Sequence, residues 1–183
     1  RIRREDERVN YLRSTSFPFV AFGRVENRLD FPYVDEDGEY GMGLVVDHLV
    51  GLGYRRIACI VPDLNLMFAH YRLRGLKKQL ASHSISLNSD CIRTGDLTQR
   101  SGYEAASSLL DLPEPPEAIV ACNDLMALGA ISAAQDHGME VGRDVAITGF
   151  DDIPMAEHFH PPLTTVNQPI YQIGRRTCEM LVK

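Results

Sequence analysis

A chain of 183 residues, 44% hydrophobic and 24% charged, is long enough to bury a substantial core, either as one large domain or as two lobes. Its net charge of -6 and isoelectric point near 5.5 exclude nucleic-acid binding by this piece alone, because holding phosphates needs clustered Lys and Arg. Cys59, Cys91, Cys122 and Cys178 form no CxxC pair, so they read as reduced, buried cytosolic thiols rather than a zinc site or a disulfide framework; no apolar run is long enough for a membrane span, and no signal peptide opens the chain.

In chain order, RIRREDERVNYLRS reads as a helix whose Arg1, Arg3 and Arg4 are followed at once by Glu5, Asp6 and Glu7, pairable along a solvated face. No initiating Met or strand precedes it and GRRTCEMLVK stops in mid-helix, so both ends read as cut from a longer protein. Strands are predicted near Phe19 to Gly23, Tyr33 to Asp35, Arg56 to Val61, Cys91 to Thr94, Ala118 to Cys122 and Val145 to Gly149. Helices are predicted near Glu39 to Leu52, Tyr71 to Ser82, Gln99 to Leu110, Leu125 to His137 and from about Tyr171. Gly53 and Gly138 suit left-handed caps at two helix ends, and Pro113, Pro115 and Pro116 stiffen the approach to EAIVAC.

This alternation predicts βαβ units and a parallel sheet. IACIVP, AIVACND and VAITGFDD are nearly continuous apolar runs that end abruptly in polar residues, the pattern of strands covered on both faces. Ligands of such sheets bind outside the carboxyl ends of the strands, where Arg72, Asn123, Asp124, Asp151 and Asp152 would gather. One guanidinium with carboxylates and an amide suits a polyhydroxy ligand, whose hydroxyls donate to carboxylates and accept from the arginine fork. Each residue also has a structural reading: Asn123 or Asp124 as a helix cap, Arg72 paired with a surface acid, Asp151 organising the turn before Pro154. Together, at successive strand ends, they favour a binding site.

Catalytic readings are weaker. FDD comes with no phosphate cradle, GMG and GLG are not GxGxxG, and Ser101 and Ser107 lack a nucleophile-elbow context. His158 and His160 have no third ligand at convincing spacing, so neither metal nor cofactor is expected.

The ordered series LGYRRIACI, RLRGL, GDLTQRSGY, AIVACNDLMALGAISAAQDHG, DVAITGFDDIP and PPLTTVNQP resembles the lactose-repressor (LacI/GalR) family, and FPFVAFGR and YVDEDGEYG match its preceding segments. The resemblance implies two Rossmann-like lobes of the periplasmic-binding-protein type: an incomplete amino-terminal lobe of residues 1–46 and 166–183, and a carboxy-terminal lobe of residues 47–165. It further implies an effector-sensing, non-enzymatic, cytoplasmic homodimer that takes a sugar or similar small polar ligand in the cleft and meets operator DNA only through a helix-turn-helix headpiece outside this chain. By the likeness, Arg72 and Asp151 match the family's effector-binding arginine and aspartate, and Asn123 and Asp124 its polar pair. Leu97 stands where some members carry a stacking aromatic ring; Arg24 and Phe159 are further cleft candidates. The rival readings are a periplasmic or transporter-associated sugar-binding protein and a doubly wound enzyme acting on a phosphorylated sugar.

Overall fold

Two strands that read as unbroken apolar runs, β3 (Ile57–Val61) and β5 (Ala118–Ala121), are buried at every residue and lie side by side inside a five-stranded sheet. The computed structural model describes residues 2–25 and 30–182. Around these strands the chain runs α1 (Glu7–Ser14), β1 (Ala21–Phe22), β2 (Tyr33–Val34), α2 (Gly38–Gly51), β3, α3 (Met67–Ser82), β4 (Ile92–Thr94), α4 (Gln99–Leu110), β5, α5 (Asp124–Asp136), β6 (Ala146–Asp151), β7 (Thr164–Asn167) and α6 (Ile170–Leu181). The large sheet has the order β4-β3-β5-β6-β7 with every pairing parallel, and β1 and β2 form a separate parallel pair.

The order reverses between β3 and β5. Right-handed crossovers then put α3 on one face of the sheet and α4 and α5 on the other. The packing agrees: α3 lies against α2, and α4 against α5. The second contact is so close that a Cβ at Gly102 would sit 2.2 Å from the Met126 carbonyl oxygen, and one at Gly129 would sit 2.0 Å from that of Gln99. The main core fills the space between these helix pairs and the sheet, while Ile2, Val9, Ala21, Val25 and Phe31 form a smaller cluster with Met67 and Tyr71 of α3. Position 46 falls inside α2, which packs on α3 and β7, whereas α6 packs on β2.

Each predicted strand and helix has a counterpart within a few residues, and α4 has the expected bounds. Gly53 and Gly138 take positive φ of 98° and 71°, and the amides of Tyr54 and Met139 reach back to Leu49 and Ala134, closing the helix ends as left-handed caps. Three expectations need correction. The opening helix starts only at Glu7: Arg3 bridges to Leu66, and Asp6 is a buried N-cap instead of part of a solvated helix face, because a carboxylate satisfies free amides best at a helix start. Arg1 lies outside the described residues. β7 was not predicted, since its Thr-rich LTTVN is short and only half covered. Cys178 is exposed on α6, unlike Cys59 and Cys122, whose thiols burial pushes up, Cys122 to about 12.

Candidate functional site

Phe68, Arg72 and Leu76 recur at four-residue spacing on the buried face of α3, so the sequence directs an arginine inward rather than to solvent. Arg72 is completely buried. Its Nη1 donates to the carbonyl of Cys122, just past β5, and its Nη2 donates to Glu36, just past β2, and to Oδ1 of Asp151, at the end of β6, at 3.3 Å. The guanidinium lies 3.5 Å from the centre of the Phe150 ring and 5.0 Å from that of Phe68, so aromatic faces hold it from the sides. Its Nε is buried with no partner. One side chain thus draws together the ends of β2, β5 and β6.

Asp151 is partly exposed, with a side-chain accessibility of 21% against 6% for Glu36. It has φ of 124° and Asp152 follows at 55°, conformations that cost an L residue about 1–3 kcal/mol each and that concentrate at functional sites. Asp152 is steadied by Asn167 Nδ2 at 2.7 Å. Gln168, immediately after β7, donates through Nε2 to Asp151, and its own Oε1 is buried without a partner. Beside this group, Arg24 Nε lies 3.8 Å from Oδ2 of Asp35, and its guanidinium sits 4.6 Å over the Tyr71 ring. Burial raises the Asp35 carboxyl, and the Arg24 charge partly offsets that rise. Arg24 also reaches the rim of a groove of about 520 Å³ that runs along Asp37, Tyr40, Leu44 and Lys78.

The other candidates stand apart from Arg72. Asn123 is the N-cap of α5: its Oδ1 accepts from the Met126 amide at 3.0 Å, and its Nδ2 donates to the Leu97 carbonyl at 3.2 Å. Asp124 is completely buried and accepts from the Ile153 amide at 2.8 Å and the Thr165 hydroxyl at 2.5 Å, tying α5 to the ends of β6 and β7. Leu97 has φ of 73° and packs on the core edge, and Phe159 is buried in the core. The structure gives these four a part in the fold. Arg72, Asp151 and, beside them, Arg24 are the candidates that converge.

A family model described as a periplasmic binding protein-like domain matches residues 46–183. The chain is 38% identical over 165 residues to the HTH-type transcriptional repressor CytR of Escherichia coli, covering 90% of this chain and 48% of that protein. A LacI-family regulatory protein from Chloroflexus aggregans superposes with a TM-score of 0.94 at 40% identity, over 99% of this chain and 65% of that one. The chain belongs to the LacI/GalR family. Another similar structure, of the transcriptional regulator CelR in complex with cellobiose, gives a TM-score of 0.91 at 34% identity, over 99% of this chain and 56% of that one. This LacI/GalR effector domain spans about half the length of the curated relatives it matches.

Glu36, Asp35 and Gln168 are the polar members of the site that strand-end reasoning passed over. The signal was available for the first two, since DED follows YV of β2, while Gln168 follows β7, which has no apolar run. A polar residue directly after any parallel strand is a candidate on the same ground as those of CND and FDD. Phe68 and Phe150 carried no such mark, because an aromatic residue in an apolar run reads as core.

Proposed function

We propose that this LacI/GalR domain binds a small, hydroxyl-rich effector, a sugar or sugar derivative, at the Arg72 and Asp151 site, and that in the whole protein this binding changes the operator affinity of an attached helix-turn-helix headpiece. The carrying observation is that Arg72 joins the end of β2, in the small sheet, to the ends of β5 and β6 in the large one. A ligand inserted there contacts both sheets, and a contact that differs between two lobe arrangements is what shifts an equilibrium between them. Around Arg72 the acceptors Asp151 and Gln168 match hydroxyl donors. The cellobiose bound to CelR supports a carbohydrate as the class.

The reading includes two lobes, with the first division at the β2–α2 connection rather than at position 46, because α2 packs as one helix on α3. It also includes a homodimer and a role as a regulator rather than an enzyme. Ligand-dependent melting with pentoses, hexoses and disaccharides, followed by calorimetry, tests the site. At least one carbohydrate should raise the melting temperature, and Asp151→Ala should weaken its binding about tenfold or more, the scale of one lost charge-assisted hydrogen bond. Unchanged affinity in a folded Asp151→Ala variant would remove the site.

A further inference from the structure

We propose that Glu36 sets the charge of the effector: by neutralising Arg72 it makes the site accept an uncharged hydroxyl-rich molecule and reject the phosphorylated form of the same molecule. This inference rests on the effector-site reading above and adds a residue and a ligand charge to it.

A guanidinium ready to hold a phosphate presents two parallel N–H groups to it. Here both N–H groups of Nη2 are engaged by the carboxylates of Glu36 and Asp151 and one of Nη1 by the Cys122 carbonyl, so neither parallel pair that includes Nη2 is open, and Nε is flanked by the Phe150 and Phe68 rings. No fork remains. The local charge points the same way, because Asp35, Glu36 and Asp151 set three negative charges against the two positive charges of Arg24 and Arg72, a surplus of one negative. Helix starts do not reverse the balance, since α2 is capped by Asp37 and α5 by Asn123. Acceptors dominate what is left. The buried Gln168 Oε1 calls for a donor, which a hydroxyl provides and a phosphate dianion does not.

Glu36 is the decisive member of this set. It is almost completely buried, on the short connection between β2 and α2, whereas Asp151 is more exposed and shares its Oδ1 with Gln168. Replacing Glu36 by the isosteric Gln keeps an acceptor for Arg72 Nη2 and cancels the surplus negative charge.

The test uses matched pairs: ribose with ribose 5-phosphate and glucose with glucose 6-phosphate, titrated into the wild type, Glu36→Gln and Asp151→Ala, with melting curves to show that each variant folds. In the wild type the unphosphorylated member should bind at least about tenfold more tightly than its phosphate ester, and Glu36→Gln should narrow that ratio by about tenfold, as expected when one like charge leaves a partly buried site. A wild type that binds the phosphate ester as tightly as the free sugar overturns the proposal, whether or not the variant folds; so does a folded Glu36→Gln with an unaltered ratio. If Asp151→Ala abolishes binding while both members of a pair bind equally to the wild type, only the charge inference fails. If Asp151→Ala and Glu36→Gln both leave every affinity unchanged, the effector-site reading fails with it.

Discussion

Arg72 and Asp124 are both completely buried charges at the same edge of the large sheet, yet the structure supports them in opposite ways. Asp124 meets neutral donors fixed by the fold, the Ile153 amide and the Thr165 hydroxyl, and its two oxygens are both engaged. Arg72 meets two carboxylates and a carbonyl, keeps Nε without a partner, and stands beside a positive-φ Asp151 and a buried Gln168 oxygen that also lacks a partner. A closed set of partners describes a clip that holds strand ends to a helix. An unbalanced set, with strain next to it, is what supports the proposed effector site. Burial alone therefore does not separate structure from function at this edge; the completeness of the hydrogen bonding does.

Removing the arginine tests the unbalanced side and should have the largest effect on stability. Arg72→Ala leaves Glu36 buried without its cation and opens a hole between Phe68 and Phe150. Breaking one half of a buried pair typically costs about 3–5 kcal/mol, so a marked fall in the urea midpoint is expected. The double variant Arg72→Met, Glu36→Gln keeps the volume and removes the orphaned charge; it should recover most of that loss without recovering effector binding. A single variant destabilised by less than about 1 kcal/mol would mean that Glu36 finds water or another partner easily, and the contrast with Asp124 would lose its basis.

Altering the clip should cost less and spare the ligand. Asp124→Asn keeps the shape but turns one acceptor into a donor facing the Ile153 amide or the Thr165 hydroxyl, and it withdraws a negative charge from the start of α5. A loss of about 1–3 kcal/mol is expected from the mismatched buried hydrogen bond. Effector affinity measured on the folded protein should stay close to that of the wild type. Weakened binding at full stability would place Asp124 in the site after all.

The part of this contrast that sequence reasoning could reach is specific. Unbroken apolar runs located β3, β5 and β6, and their polar ends located the edge, because a strand buried on both faces has no use for a polar residue until it leaves the sheet. Asp151 was legible as a polar strand end for that reason, whereas Arg72 lies on the buried face of α3, beyond the end of β3. Asn123 and Asp124 were legible as polar but not as structural, since only tertiary geometry brings Met126, Ile153 and Thr165 to their oxygens. Gln168 was hidden for another reason: β7 is half exposed and threonine-rich, so no apolar run marked the strand it follows. Weak strands hide the residues that follow them.

A third buried carboxylate gives the smallest effect and the cleanest measurement, because it combines the two modes of support. Asp6 accepts from the amides of Arg3 and Arg8, as Asp124 accepts from Ile153, and it also pairs with the Arg8 guanidinium at 2.7 Å, as Glu36 pairs with Arg72. The Arg8 side chain supplies the largest pull on its carboxyl, which is held at about 2 against an ordinary 3.8. A depressed folded-state value means that the ionised form is favoured by folding, so the increment is fully present above pH 3.8 and disappears as the pH falls through about 2. The depression corresponds to at most about 2.5 kcal/mol, and nearer about 1 once solvent screening of the exposed Arg8 partner is allowed for. Asp6→Asn retains the helix cap to the Arg8 amide, deletes the charge, and turns the oxygen facing the Arg3 amide into a donor, a cost that does not vary with pH. Its stability deficit, measured by urea unfolding relative to the wild type, should be about 1 kcal/mol larger at pH 7 than at pH 2, with the fall between pH 4 and pH 2. A deficit that stays constant across that range would mean that the cap, not the ion pair, stabilises the start of α1, and that a buried carboxylate here depends on closed hydrogen bonding even when a guanidinium lies against it.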